Sequence, residues 1–293
     1  MRLRAGAALV TLTLVGVAGC GAEDASGEAS SSGGPSPGGS CAEEAGVAPP
    51  PGRGGGRGGD GEAKATGEAT LPILGGALAT GDAAVVAVNS LGVDCQRAGA
   101  PGCTGTLVGA DLVLTAAHCV GEMPPERFVV LFGATADPGR GELGEGLVGQ
   151  LFHVAEIRVH EGFDPETLAG DVAVLRLAEA GPATPVAVAG AGFAGVVEGA
   201  AGRVVGFGRA DEPPAFAKRE GAVVVSAVSE TELVYEGDPA MTCAGDSGGP
   251  VFMTVEGVER LVGVTSRGDA ACEQHGVAVR MDALPPSLLA EAW

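Results

Sequence analysis

The chain has 293 residues, 45% of them hydrophobic, 18% charged and only 3% aromatic, so it can bury a core, one assembled from Ala, Val and Leu rather than from rings. Disorder throughout is excluded. Seventeen Lys and Arg stand against 37 Asp and Glu, a formal net charge of -20 that repels nucleic acid and other acidic partners.

Arg2 and Arg4, the apolar run 5–17 and the small residues Ala18-Gly19 ahead of Cys20 follow the order of an export signal: positive start, apolar stretch, small-residue cut site. The pattern resembles a bacterial lipoprotein signal. By that resemblance residues 1–19 are removed and Cys20 carries acyl chains as a membrane anchor. Gly21 lacks the aspartate that often retains such proteins at an inner membrane, so an anchored chain is expected at the outer membrane or cell surface. An ordinary secretory signal that contains a cysteine, or an uncleaved anchor, is the alternative; the run is short of the roughly 20 apolar residues that span a bilayer. In the first two cases the rest of the chain is exported, where disulfides persist.

Residues 20–72 are dominated by Gly, Ser, Ala, Pro and Glu, as in Ser30-Ser31-Ser32-Gly33-Gly34-Pro35, with almost nothing apolar to bury. They read as a flexible tether and possible propeptide, with an average reach on the order of 40 Å. From residue 73 short Val-rich runs follow at regular spacing: 83–88, 113–116, 128–132, 172–177, 203–207, 222–228, 260–265 and 277–280. Gly, Pro, Asp and Asn bound them and no long helical period separates them, which predicts an all-β sandwich or barrel over 73–293. The end, 281–293, reads helical, with Pro285 and Pro286 near its start.

Three segments carry chemistry: Thr115-Ala116-Ala117-His118-Cys119, Asp171-Val172-Ala173-Val174-Leu175, and Gly245-Asp246-Ser247-Gly248-Gly249-Pro250. A serine hydroxyl is a poor nucleophile at neutral pH; it needs an imidazole to take its proton and a buried carboxylate to hold that imidazole's tautomer. Each residue alone has a plain structural reading; together, in the order His, Asp, Ser, they do not. The chain resembles the trypsin-like serine proteases of chymotrypsin fold over about residues 73–293. The resemblance implies two packed six-stranded antiparallel β-barrels, here with a short C-terminal helix, and protein or peptide substrates without a cofactor. It casts His118 as general base and acid, Asp171 as orienting carboxylate and Ser247 as nucleophile. The backbone N–H groups of Gly245 and Ser247 would form the oxyanion hole. Ser266 matches the serine that supports the aspartate, and Gly206-Phe207-Gly208 matches the family's Gly-Trp-Gly.

The resemblance also implies disulfides Cys103–Cys119, beside the histidine, and Cys243–Cys272, tying the nucleophile loop to the pocket wall. Cys41 and Cys95 remain, as a pair or as free or intermolecular thiols. Ile73-Leu74-Gly75-Gly76 matches the family's mature start, whose freed ammonium pairs with the aspartate before the nucleophile, here Asp246. Pro72 precedes Ile73 where zymogens usually carry Arg or Lys, leaving open a different processing enzyme, a nearby cut, or a side chain in place of the ammonium. Met241 falls at the base of the primary pocket, where trypsins have an aspartate, with Thr242, Ser266, Gly268 and Gly276 along its walls. A thioether there leaves a basic side chain unpaired and favours Leu, Met or Phe on the acyl side of the cut bond. Arg267 replaces an aromatic residue beside the substrate, and Asp269 stands near the mouth.

His153, His160 and His275 lack metal-ligand spacing. Asp137, Glu142 and Glu145 lie where some relatives bind calcium, but a solvated acidic loop is the plainer reading. Two other classes remain for comparison. An α/β-hydrolase also uses Gly-x-Ser-x-Gly, but needs an acid and then a histidine after the serine, with alternating helices, and only His275 follows Ser247. A catalytically silent, protease-fold binding lipoprotein would draw its support from Pro72.

Overall fold

The computed structural model describes residues 73, 75–91, 102–134, 151–208, 217–237, 240–255 and 257–290. The signal, the tether with Cys20 and Cys41, and Cys95, Asp137, Glu142 and Glu145 lie outside the described residues.

The chain enters through a two-residue strand, β1 (Ala77–Leu78). Six strands then close an antiparallel barrel: β2 (Val85–Ser90), β3 (Cys103–Leu107), β4 (Leu112–Thr115), β5 (Phe128–Leu131), β6 (Leu151–Val159) and β7 (Ala173–Leu177). A second six-membered ring follows from β8 (Ala201–Gly206), β9 (Arg219–Val228), β10 (Glu232–Glu236), β11 (Pro250–Val255), β12 (Val258–Gly268) and β13 (Gly276–Arg280). In that ring β8 pairs with both β9 and β11, and β1 lies outside on β9.

The period-2 alternation of side chains explains why β2, β4, β5 and β7 read as nearly unbroken apolar runs. On β2, Val86 and Val88 enter the first barrel's own core, while Val85 and Ala87 join a cluster shared with Phe207, Phe252, Leu261 and Val264 of the second. The strands β4, β5 and β7 divide their residues between the same two clusters. Such strands are buried on both faces. Val204, Val223, Leu233, Val262 and Ala278 fill the second barrel.

Strands stand at all eight expected sites with shifted ends, but β3, β6, β10 and β11 carry weaker sequence signals. Cys103-Thr104-Gly105-Thr106-Leu107 is small and half polar, yet buried throughout: the Thr104 hydroxyl finds partners that only the closed barrels supply, while Thr106 Oγ1 has no partner among the described residues. The expected C-terminal helix is corrected to two short 3₁₀ turns, Met281–Ala283 and Pro286–Leu289. Two adjacent prolines remove two N–H donors and push Leu284 to extended backbone, with φ -85° and ψ 150°, so no α-helical ladder can run through.

Candidate active site

His118 sits in a 3₁₀ turn, Ala117–Cys119, directly after β4. The disulfide Cys103–Cys119 ties that turn to the start of β3. Asp171 lies just before β7, and β7 pairs with β4, so strand pairing alone brings the two segments together. The backbone N–H of His118 donates to Asp171 Oδ1 at 2.8 Å, and His118 Nδ1 lies 2.7 Å from Asp171 Oδ2. Ser266 Oγ, on β12 of the second barrel, donates to the same Oδ2 at 2.6 Å.

Asp171 is fully buried. Burial pushes its carboxyl up, but the bonds from His118 and Ser266 outweigh that and hold it below the usual carboxylate range. An ionised acceptor at Oδ2 requires the imidazole proton on Nδ1, which leaves Nε2 free to accept another.

Ser247 occupies a turn between Cys243 and Pro250. Within it Asp246 N–H donates to Cys243 O at 3.0 Å and Gly249 N–H to Asp246 O at 2.9 Å, while Gly248 N–H donates to Thr265 O on β12 at 2.7 Å. Gly248 has φ +84°, and a Cβ there would collide with Thr115 Oγ1 and Thr104 O, so only glycine lets the turn press against the first barrel. The amides of Gly245 and Ser247 take no partner among the described residues. Ser247 O accepts from Thr104 N–H at 2.8 Å and lies 3.7 Å from Cys119 Sγ, which is 3.9 Å from His118 Nε2. No hydrogen bond joins Ser247 Oγ to His118 Nε2 among the described residues; in sites without substrate this bond is commonly long and tightens on binding.

Thr104 carries no signal in the sequence. Its Oγ1 donates to Gly245 O at 2.9 Å and accepts from Phe207 N–H at 3.0 Å, and its carbonyl accepts from Thr115 Oγ1 at 2.8 Å. One buried hydroxyl thus ties β3 to the nucleophile turn and to the Gly206-Phe207-Gly208 segment. Its partners stand 141 and 103 positions away, so no local pattern announces it.

Asp246 is buried, and its oxygens accept from Gly208 N–H at 2.8 Å and Cys243 N–H at 2.9 Å. Burial pushes its carboxyl up to about 6 against the pull of these amides. No cation pairs with it among the described residues of the uncut chain. Ile73 is buried in the second-barrel core with Ala240 and Met241.

The second disulfide, Cys243–Cys272, joins the nucleophile turn to the loop after β12. Between them lies a cavity of about 260 Å³ lined by Thr242, Cys243, Ala244, Ser247, Thr265, Ser266, Arg267, Gly268, Asp269, Ala270 and Cys272. Thr242, Ser266 and Gly268 are among these lining residues. Two expectations are corrected. Met241 is not in the wall; it is buried in the second-barrel core, its Sδ accepting from Gly237 N–H at 3.1 Å. Gly276 is not in the wall either, because Tyr235 lies over it. Arg267 is held by Glu232 at 2.7 and 2.9 Å. Asp269 accepts from the amides of Glu273, Gln274 and His275, which hold its carboxyl well below the usual range. Among the described residues one group has three metal-type ligands together, Cys103, His118 and Cys119, and the disulfide occupies both sulfurs.

The family profile described as Trypsin matches residues 97–286. Trypsin alpha-4 of Lucilia cuprina is 28% identical over 218 residues, covering 69% of this chain and 81% of that protein. A trypsin of Saccharopolyspora erythraea is 30% identical over 199 residues, covering 62% of this chain and 82% of its own. Serine protease 56 of Mus musculus is 31% identical over 214 residues, 64% of this chain and 34% of that protein.

Proposed function

Since the chain belongs to the trypsin family and is a serine-type endopeptidase, we propose that Ser247, His118 and Asp171 are its catalytic residues. The observation that carries this reading is the caged carboxylate: buried Asp171, bonded to both His118 and Ser266, dictates the tautomer that leaves Nε2 basic. Ser247 Oγ attacks the scissile carbonyl carbon as His118 Nε2 takes its proton, and Asp171 stabilises the imidazolium. The carbonyl oxygen, now negative, is met by the amides of Gly245 and Ser247. His118 returns the proton to the departing amine, leaving an acyl-enzyme that water cleaves by the same steps reversed.

Thr104 acts here as a positioning residue, holding the Gly245 carbonyl and with it the flanking peptides that carry the Gly245 and Ser247 N–H groups. Thr104→Val leaves the half-buried Gly245 carbonyl and the buried Phe207 N–H without this partner, a loss of about 1–3 kcal/mol. It is expected to lower kcat about tenfold with KM little changed, and Thr104→Ser to restore it; steady-state kinetics on both variants checks this. A valine variant with full kcat would mean the loop is held without the hydroxyl.

For substrates, the reading is cleavage after uncharged rather than basic residues. The deep walls offer Thr242 and Thr265 but no acid, and the one carboxylate in the lining, Asp269, is half-buried and already bonded to three amides. A buried Arg or Lys would lack a counter-charge. For location, the reading is an exported protease, anchored through acylated Cys20 and held off the membrane by residues 20–72.

One experiment tests site and anchor together. Cells expressing the protein are treated with a fluorophosphonate probe and extracted into a detergent that separates into two phases. Labelled protein is expected in the detergent phase, label is lost in Ser247→Ala, and Cys20→Ser leaves the detergent phase or stays unprocessed. Unlabelled but folded protein would favour the silent binding lipoprotein, a reading that draws on Pro72 and on the unpaired Asp246. Labelled protein confined to the aqueous phase would remove the anchor.

A further inference from the structure

The chain has a single tyrosine, and it is buried in the second barrel. Tyr235 on β10 stands opposite Gly276 on β13 in antiparallel register. Its ring lies across that glycine: a Cβ at 276 would collide with the ring carbons Cζ and Cε2 and with the hydroxyl. Gly276 therefore serves to seat the ring. The hydroxyl reaches Thr242 Oγ1 at 2.7 Å and Thr265 Oγ1 at 3.3 Å. Both threonines line the cavity beside Ser247, whereas Tyr235, Met241 and Gly276 do not. The fully buried phenol thus links two residues of the cavity lining from the core side.

We propose that Tyr235, acting through Thr242 and Thr265, sets the floor of the substrate cavity and restricts cleavage to bonds following small uncharged residues: Ala, Val, Ser and Thr. This rests on the reading of Ser247 as the nucleophile and narrows it. A long side chain entering the cavity has to displace the ring. That would break two buried hydrogen bonds and leave Thr242 and Thr265 hydroxyls unsatisfied. It would also push the ring into a core that includes Ile73, Leu233, Met241 and Ala278, where dense packing leaves little room. Three hydroxyls share two contacts, so one O–H donor stays uncommitted and a serine or threonine side chain can use it. Burial pushes the phenol up to about 12, which keeps the floor uncharged at working pH and gives a basic side chain nothing to pair with.

The test is a peptide series differing only in the residue before the cut bond, with active enzyme counted by fluorophosphonate labelling. For the full chain in its active form, kcat/KM for Ala and Val is expected to exceed that for Leu, Phe and Arg by about 10-fold or more, the range that pocket size differences bring. Tyr235→Ala is expected to reverse the Ala-to-Phe ratio while the labelled fraction stays the same. Tyr235→Phe, which keeps the ring and is the safer variant for folding, is expected to retain the preference for small residues, with Ser and Thr no worse relative to Ala and Val, since it frees the hydroxyls of both Thr242 and Thr265. Fast cleavage after Phe, Leu or Arg by the unmodified enzyme would overturn the proposal, as would a labelled Tyr235→Ala with unchanged preference. A protein that takes no label at all would remove the nucleophile reading and this inference with it.

Discussion

Replacing Ser247 by Ala is expected to lower kcat on the order of 10⁶-fold, and His118→Ala by a similar factor, with the double variant hardly worse than either. The nucleophile is useless without a proton acceptor and the acceptor has no task without the nucleophile, so their losses do not multiply. What remains is the catalysis supplied by the Gly245 and Ser247 amides and by substrate binding, about 10³–10⁴ over water. Ser266→Ala is a graded companion: it removes one of three hydrogen bonds to Asp171, so its effect should be far smaller. Single-turnover acylation of a peptide ester, with active fraction fixed by titration, measures all four variants. Losses that multiply in the double variant would mean that Ser247 and His118 act in separate steps.

The second large effect is expected at Asp246. In the uncut chain its carboxyl is buried with two amide donors among the described residues, and a rise from 3.8 to about 6 at about 1.4 kcal/mol per pKa unit costs on the order of 3 kcal/mol at pH 7. The folded state keeps its proton up to about pH 6, while the unfolded chain releases it near 3.8. This group's contribution therefore favours folding less as pH rises through that window, and the cost is complete above it. A free ammonium at Ile73 would supply the missing cation. A preparation cut before Ile73 is expected to melt higher at pH 7 than the uncut chain and to gain about 10²-fold or more in kcat/KM as the Gly245 and Ser247 donors become fixed. Asp246→Asn should abolish both gains in the cut form. In the uncut form it should raise stability above pH 6, since it removes the buried charge. Melting curves from pH 4 to 8 on the four forms give the answer. An uncut chain whose pH profile is unchanged by Asp246→Asn would show that this carboxylate costs nothing where it lies, and an active form starting well upstream of Ile73 would show that the ammonium is not used.

The candidate catalytic segments were legible because they lie in short local patterns. Ala117-His118-Cys119 turns directly off β4, Gly248 accepts a positive φ, and Asp171 leads a Val-rich strand. Period and residue type were enough to place each of these. The strands β2, β4, β5 and β7 were legible because burial on both faces demands a continuous apolar run, and β9 because it alternates between a buried and an exposed face. The terminal 3₁₀ turns differ from the expected helix because adjacent prolines outweigh the apolar spacing of Leu284, Leu288 and Leu289.

The substrate cavity shows where local reading stops. Position along the chain placed Met241 at the floor, but direction is decided by packing: the thioether turns into the second-barrel core toward Gly237, and the floor belongs to Tyr235 from another strand. That exchange of roles depends on the β10–β13 register, which sets the ring over Gly276, and register is a property of paired strands. Thr104 is the same case, a small residue whose hydroxyl matters because closing two barrels brings Gly245 and Phe207 to it. The sequence by itself determined the β class and singled out the three candidate catalytic segments, through patterns spanning a few residues. Only the tertiary structure decided which side chains bound the cavity and hold the nucleophile turn, because those contacts join segments far apart in the chain and their energies exist only once the barrels have closed.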